Sequence, residues 1–136
     1  MSMRGSGVAH NYERMNTTHD VDTASPHRLI QLMMERVLAK IAMARGHMER
    51  AEVSEKGKLI GDAISIINGL QASLNKKADA EMPANFDALY DYMMRRLIHA
   101  NLHNETETLD EVSGLLQELK EAWDAIGDIA DAAEPR

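Results

Sequence analysis

The chain has 136 residues, no cysteine and a formal net charge of −7. That length suits one domain with a core of its own, and without thiols neither a disulfide nor a thiolate metal site is possible. Its 44% hydrophobic and 27% charged content fits a soluble globular chain, and no apolar run approaches the ~20 residues that span a bilayer, so membrane insertion is not expected.

Residues 1–24 hold Gly5, Gly7 and several turn formers without a sustained period, which predicts a mobile N-terminal arm. Within it Val8, Tyr12 and Met15 fall at helical spacing, so one turn could form if it docks on something apolar. No apolar signal segment follows the N-terminal Arg4, so export by a cleaved signal is not expected and the cytoplasm is the expected compartment.

Ser25 and Pro26 start the first helix, the hydroxyl capping and the proline occupying a position whose N–H needs no partner. Ile30, Met33, Met34, Val37, Ile41, Ala44 and Met48 then recur at three- and four-residue steps and predict one core stripe. A second apolar strip, Leu32, Ala39 and Met43, lies apart from it, divided off by Arg36, Lys40 and His47. A helix that packs into one small core needs only one such face. The surplus predicts that something else lies against this helix.

The helix ends near Gly46 to Arg50, and Ser54 is the expected cap of the second. Leu59, Ile60, Ala63, Ile64, Ile66, Ile67, Leu70 and Leu74 form its apolar face; Gly61, Ser65, Asn68, Gly69 and Ala72 form a small-residue face opposite. That second face is read as tolerated surface ahead of a lane for a neighbouring helix. After a polar link, Pro83 marks the third helix, with Phe86, Leu89, Tyr90, Met93, Met94, Leu97, Ile98 and Ala100 buried. Asn101 falls in that stripe and must find a partner, while Tyr92 is expected to turn towards Arg96, His99 and His103. Tyr and Arg are enriched where interfaces hold tightest, so Tyr92 and Arg96 are candidate contacts. The last helix carries Leu109, Val112, Leu115, Leu116, Leu119, Trp123 and Ile126 on one face and is expected to fade at Gly127 into an acidic tail, 128–136. Four helices on short links predict an all-α fold, an antiparallel four-helix bundle over 25–127.

Charge is unevenly spread: residues 105–136 hold ten Asp/Glu against Lys120 and Arg136 alone. A nucleic-acid binder needs a basic face to replace counterions, so no such partner is expected. Ten methionines against five aromatics suit an adaptable surface. Chemistry is not in view. No histidine has an acidic residue three positions before it, so the carboxylate–histidine pairs of a di-iron bundle are missing. His99 and His103 stand four apart without a third ligand, and zinc wants three or four. Carboxylates such as Glu105, Glu107, Asp110 and Glu111 lie on an acidic surface with no cleft to shift their pKa values. No cofactor, metal or catalytic role is assigned, and what remains is binding of another chain.

Several runs resemble a known family. T-A-S-P-H-R-L-I-Q-L-M (Thr23–Met33) and L-Y-D-Y-M-M-R-R-L-I-H-A-N-L (Leu89–Leu102) are similar to the two main signatures of the FliS flagellar secretion chaperones. Ile66–Asn75 and Leu109–Trp123 resemble that family's second and last helices, so the likeness covers the chain from Tyr12 to Trp123. It implies a cytoplasmic four-helix bundle that binds the disordered C-terminal segment of flagellin, prevents premature assembly and presents the cargo to the flagellar type III export gate. It also implies that the arm covers part of the binding surface, with Tyr12 as the family's tyrosine. One departure is the link Asn75–Ala84, where a proline-containing stretch replaces the family's glycine-rich loop. Two alternatives stand beside this: a helical regulatory adaptor for another flagellar protein or an anti-sigma factor, and a small helical metalloenzyme. Leu32, Ala39, Met43, Tyr92 and Arg96 are the candidate partner contacts, joined by Tyr12 from the arm.

Overall fold

The helix ends follow from local chemistry. In the computed structural model, which describes residues 25–76 and 84–133, Ser25 accepts the Arg28 N–H on its hydroxyl at 3.1 Å and the Leu29 N–H on its carbonyl at 2.9 Å. This is the expected cap, and α1 runs Pro26–Glu49, straight through Gly46. It stops in a Schellman turn: the Glu52 N–H reaches the His47 carbonyl at 2.9 Å and the Ala51 N–H reaches Met48 at 3.1 Å. Ala51 takes the left-handed conformation there, at φ 59°. A glycine normally fills that position, since a Cβ crowds the following carbonyl.

Helix α2 spans Val53–Lys76, so Glu52 rather than Ser54 stands at its start, and the Lys56 N–H closes the first turn on the Glu52 carbonyl at 3.0 Å. Helix α3 spans Ala84–His103 and ends on Asn104 at φ 57°, with the Glu105 N–H on the Ala100 carbonyl at 3.1 Å. Asparagine tolerates that conformation better than alanine does. Helix α4 spans Thr106–Ala133 and continues past Gly127, where the sequence reading has it fade. No strand occurs among the described residues, and the fold is an all-α helical bundle. The arm with Val8, Tyr12 and Met15, the Pro83 helix start, most of the 75–84 link and the last three residues lie outside the described residues.

The chain divides into two units, Met1–Ile30 and Gln31–Arg136. Of the first, the described part is the capped opening turn of α1. In the second, polar pairs give the helix order and direction. Arg45 meets Asp110 at 2.7 Å and Lys120 meets Glu35 at 3.6 Å, so α1 and α4 run antiparallel. Lys40 meets Asp62, and a Cβ on Gly69 would stand 3.2 Å from the Met33 Cε, which sets α1 against α2. Gln71 donates to the Asp87 carbonyl and to Asp91, pairing late α2 with early α3; Arg96 to Glu111 pairs α3 with α4. Each helix thus touches two neighbours, and α1 lies diagonally across from α3.

The stripes predicted for the core meet in the middle. Met34, Val37, Ile41, Ala44 and Met48 face Ile60, Ala63, Ile67 and Leu70, Tyr90, Met93, Leu97 and Ala100, and Leu109, Val112 and Leu116, all buried. Each large side chain so placed is stabilising by roughly 1.5–3 kcal/mol relative to exposure. Burial pushes the Tyr90 hydroxyl pKa up to about 12. Two stripe members are not core: Ile98 is 50% exposed and Ile126 45%. Ile98 lies off the axis set by its buried neighbours, whereas Ile126 lies two turns beyond Leu119, the last buried apolar side chain of α4 among the described residues. Met33 is half-buried, lying against Gly69.

One buried cation joins α2 to the end of α3. Lys56, only 5% exposed, donates from Nζ to the Asn101 carbonyl at 3.0 Å and to the Asn104 Oδ1 at 3.1 Å. The last carbonyls of a helix carry partial negative charge, which suits an ammonium. The partner expected for Asn101 is therefore made through its backbone, and the side-chain bond belongs to Asn104.

Three substitutions check this account by urea unfolding at constant m-value. Leu97→Ala lowers the unfolding free energy by roughly 2–5 kcal/mol, the range for a large-to-small core change. Ala51→Gly raises it by roughly 0.5–1 kcal/mol by relieving the left-handed alanine. Gly61→Ala raises it by about as much, since a Cβ there meets nothing within 4 Å and alanine is the better helix former.

Candidate partner-binding surface

Residues 32, 39 and 43 fall seven and four apart, which returns them to one side of α1. That side is turned directly away from Met34, Val37, Ile41 and Ala44. Met43 is 53% exposed, Ala39 is exposed and Leu32 is half-buried. Arg36 is exposed within the same strip, and on its flank Lys40 is tied to Asp62 at 3.4 Å. The result is a shallow apolar strip with one cation set into it, free of any load in the core.

Tyr92 and Arg96 sit elsewhere and do other work. The Tyr92 hydroxyl donates to Glu111 Oε2, and the Arg96 Nε–H donates to Glu111 Oε1 at 3.0 Å. The Arg95 guanidinium lies 5.9 Å from the Tyr92 ring centre, within cation–π range. Tyr92 therefore turns to α4 rather than to His99 and His103. The Tyr92 and Arg96 hydrogen bonds hold the Glu111 carboxyl below the usual carboxylate range, and the same carboxylate holds the Tyr92 hydroxyl and the Arg96 guanidinium up. The Tyr92 hydroxyl and the Arg96 Nε–H thus fasten α3 to α4. The structure does not bring them together with Leu32, Ala39 and Met43, which lie across the bundle; Tyr12 lies outside the described residues.

The acidic surface is more organised than spacing suggests. Asp110 accepts two hydrogen bonds from Arg45, at 2.7 and 3.0 Å, and is lowered by them. Glu105 accepts the Thr108 hydroxyl at 2.6 Å, with His99 Nε2 at 3.2 Å, and is lowered chiefly by the threonine. Glu52, between His47 and Arg50, is lowered as well. For Glu105, Asp110 and Glu111 the expectation of unshifted carboxylates is thus corrected: hydrogen bonds shift them even on an open surface. Every shift keeps the carboxylate ionised, the opposite of what a general acid at neutral pH needs. The His99 and His103 rings stand 4.3 Å apart, and no group of three His, Cys, Asp or Glu among the described residues is arranged to hold a metal.

Sequence spacing misses one exposed apolar patch. Leu102 is 74% exposed on α3, one turn beyond Ile98. Four-residue steps from Ile98 lead to Leu102, whereas Tyr90, Met93, Leu97 and Ala100 step along the neighbouring stripe, so a stricter wheel separates the two. Among the described residues no helix is long and apolar enough to cross a membrane.

Among the described residues the helical bundle thus carries surplus apolar surface on α1 and α3. A family model described as flagellar protein FliS matches residues 8–130. The chain is 50% identical over 115 residues to the flagellar secretion chaperone FliSB of Pseudomonas aeruginosa, covering 85% of this chain and 91% of that one. It is 39% identical over 126 residues to the flagellar secretion chaperone FliS of Salmonella typhimurium, covering 92% and 93%. The Bacillus subtilis flagellar secretion chaperone FliS is 34% identical over 105 residues, 77% of each chain. The chain belongs to the FliS family, a family of chaperones and not of enzymes.

Acid unfolding tests the Glu111 hub. A carboxylate held below its ordinary value contributes stability in full above that value and loses it as pH falls through the folded pKa. Glu111→Gln is therefore less stable than the parent at pH 7, and the two unfolding curves converge as pH drops below the ordinary glutamate value of 4.5. Circular dichroism against pH reads it; a gap that stays constant to low pH contradicts the assignment.

Proposed function

We propose that the chain is a cytoplasmic export chaperone that binds the disordered C-terminal segment of flagellin, keeps it from assembling early and hands it to the flagellar export gate. Family membership supports the export-chaperone role. The observation that carries the binding site is the α1 strip of Leu32, Ala39 and Met43, apolar surface with no part in the core. A segment that must remain unfolded for export still has apolar side chains that drive assembly. Shallow strips can cover those side chains one after another, while ordering the segment costs roughly 2–5 kcal/mol of the gross interaction and keeps binding reversible.

In this proposal residues 1–24 form an arm, 25–127 the working bundle and 128–136 an acidic, solubilising end. Tyr12 and its apolar neighbours on the arm compete for the strip, so cargo binds with an apparent affinity reduced by the fraction covered. Tyr92 and Arg96 contribute at the α3–α4 seam, where the Glu111 network presents a rigid polar edge.

Calorimetry with a peptide of the flagellin C-terminal region from the same source tests this. One-to-one binding is expected, weakened about tenfold or more by Leu32→Ser with Met43→Ser, as for the loss of ~1.4 kcal/mol of anchor burial. Helicity should be unchanged. Deleting residues 1–20 should tighten binding and expose surface to an apolar dye. No binding by the parent chain overturns the proposal, and unfolding of the double variant overturns the placement of the site.

A further inference from the structure

The α1 strip leaves one apolar feature unused. On α2, Val53, Gly57 and Gly61 recur at four-residue steps on the flank towards α3, and Val53 is exposed. A Cβ on Gly57 would lie 4.0 Å from Asn101 Oδ1, and one on Gly61 would meet nothing. Asn101 follows Ile98 by three residues and precedes Leu102, so the bare α2 backbone runs beside the two most exposed large apolar side chains of α3. A lane without side chains, bordered by Ile98 and Leu102, lets a third helix come close to the backbone.

We propose that this α2–α3 groove is a second docking face, fitted to an amphipathic helix with two apolar anchors one turn apart and acidic residues beside them. The charge around the groove selects the occupant. Lys58 on α2 and Arg95 on α3 are both exposed on its outer rim. Asp62 pairs with Lys40 at 3.4 Å, whereas Asp91, one turn before Arg95, accepts the neutral Gln71 amide at 2.9 Å and keeps its charge. Lys58 and Arg95 take no ion pair among the described residues, Arg95 lying 5.9 Å from the Tyr92 ring centre, so two cations stand against the single charge of Asp91 in a chain whose net charge is −7. An acidic helix is repelled by the rest of the surface and steered to this end of the bundle. Complementary charge thus sets position, and Ile98 and Leu102 supply the burial.

The groove goes beyond the flagellin site in one respect: it lies on α2 and α3, whereas the α1 strip points away from α3. Both can be filled at once, so the second face suits a partner that meets the chaperone while cargo is aboard. Two anchors and a short lane form a small contact, of the size seen in transient encounters.

The probe is a synthetic helix of about 18 residues, long enough to hold helical structure, with two leucines four apart flanked by glutamates. Its twin carries lysines instead. Titration of the full chain by fluorescence anisotropy should show the glutamate helix binding at least about tenfold tighter than the lysine twin, although the net charge of the chain favours the reverse. Gly61→Glu fills the lane in a site with room for it and should abolish binding with helicity intact. Reversing the rim with Lys58→Glu and Arg95→Glu should invert the preference between the peptides. Binding lost with Leu32→Ser and Met43→Ser but kept in Gly61→Glu assigns the peptide to the α1 strip and overturns the proposal. So does an unchanged preference after rim reversal, or sedimentation showing that Ile98 and Leu102 hold two copies of the chain together. Loss of flagellin-peptide binding, measured separately, leaves these outcomes distinguishable from failure of the export reading.

Discussion

Each helix of this bundle can bury only one stripe, and everything else about the molecule follows from how that stripe is spent. At 3.6 residues per turn, Met34, Val37, Ile41 and Ala44 occupy less than half of the α1 circumference, and the other three helices supply matching stripes. The core closes without Leu32, Ala39, Met43, Ile98 or Leu102. An ordinary small bundle would carry charged residues at such positions. Here they stay apolar, and among the described residues they take no part in the core. The proposed binding role accounts for them.

The core also needs its ends fixed, because a slip of one residue in any helix would turn its stripe away. Two left-handed residues, Ala51 and Asn104, end α1 and α3 sharply, and Lys56 ties the start of α2 to the end of α3. On the α3–α4 side, Glu111 gathers Tyr92 and Arg96; on the α1–α4 side, Arg45 grips Asp110. Surface pairs of this kind add little stability one by one. Their use is register: they hold the helices at the offsets where the buried stripes coincide, and so keep the exposed strips facing outwards.

Much of this was legible in the chain. The helix count, the Ser25 cap and nearly all buried positions follow from spacing and capping chemistry alone. So did the α1 surplus strip, because seven- and four-residue steps place Leu32, Ala39 and Met43 together whatever surrounds them. The errors have a common physical cause. Spacing puts Ile98 and Ile126 on core faces, yet how much of a stripe is covered depends on where the neighbouring helix lies and how far it reaches. Spacing turns Tyr92 towards His99 and His103 on its own helix, while its partner Glu111 belongs to another. Gly127 reads locally as a stop, but it is buried and α4 continues through it to Ala133. Local rules locate faces well; they do not locate partners across helices.

Covalent trapping tests the central claim, that surplus α1 surface holds the cargo segment, most directly. A photoreactive side chain at Ala39, on the strip, can be compared with one at Gly114 on α4, where a Cβ also meets nothing. Illumination of the complex with flagellin should link position 39, and not position 114, to the flagellin C-terminal segment. Efficient linking from position 114 alone, in a complex that forms normally, contradicts the account.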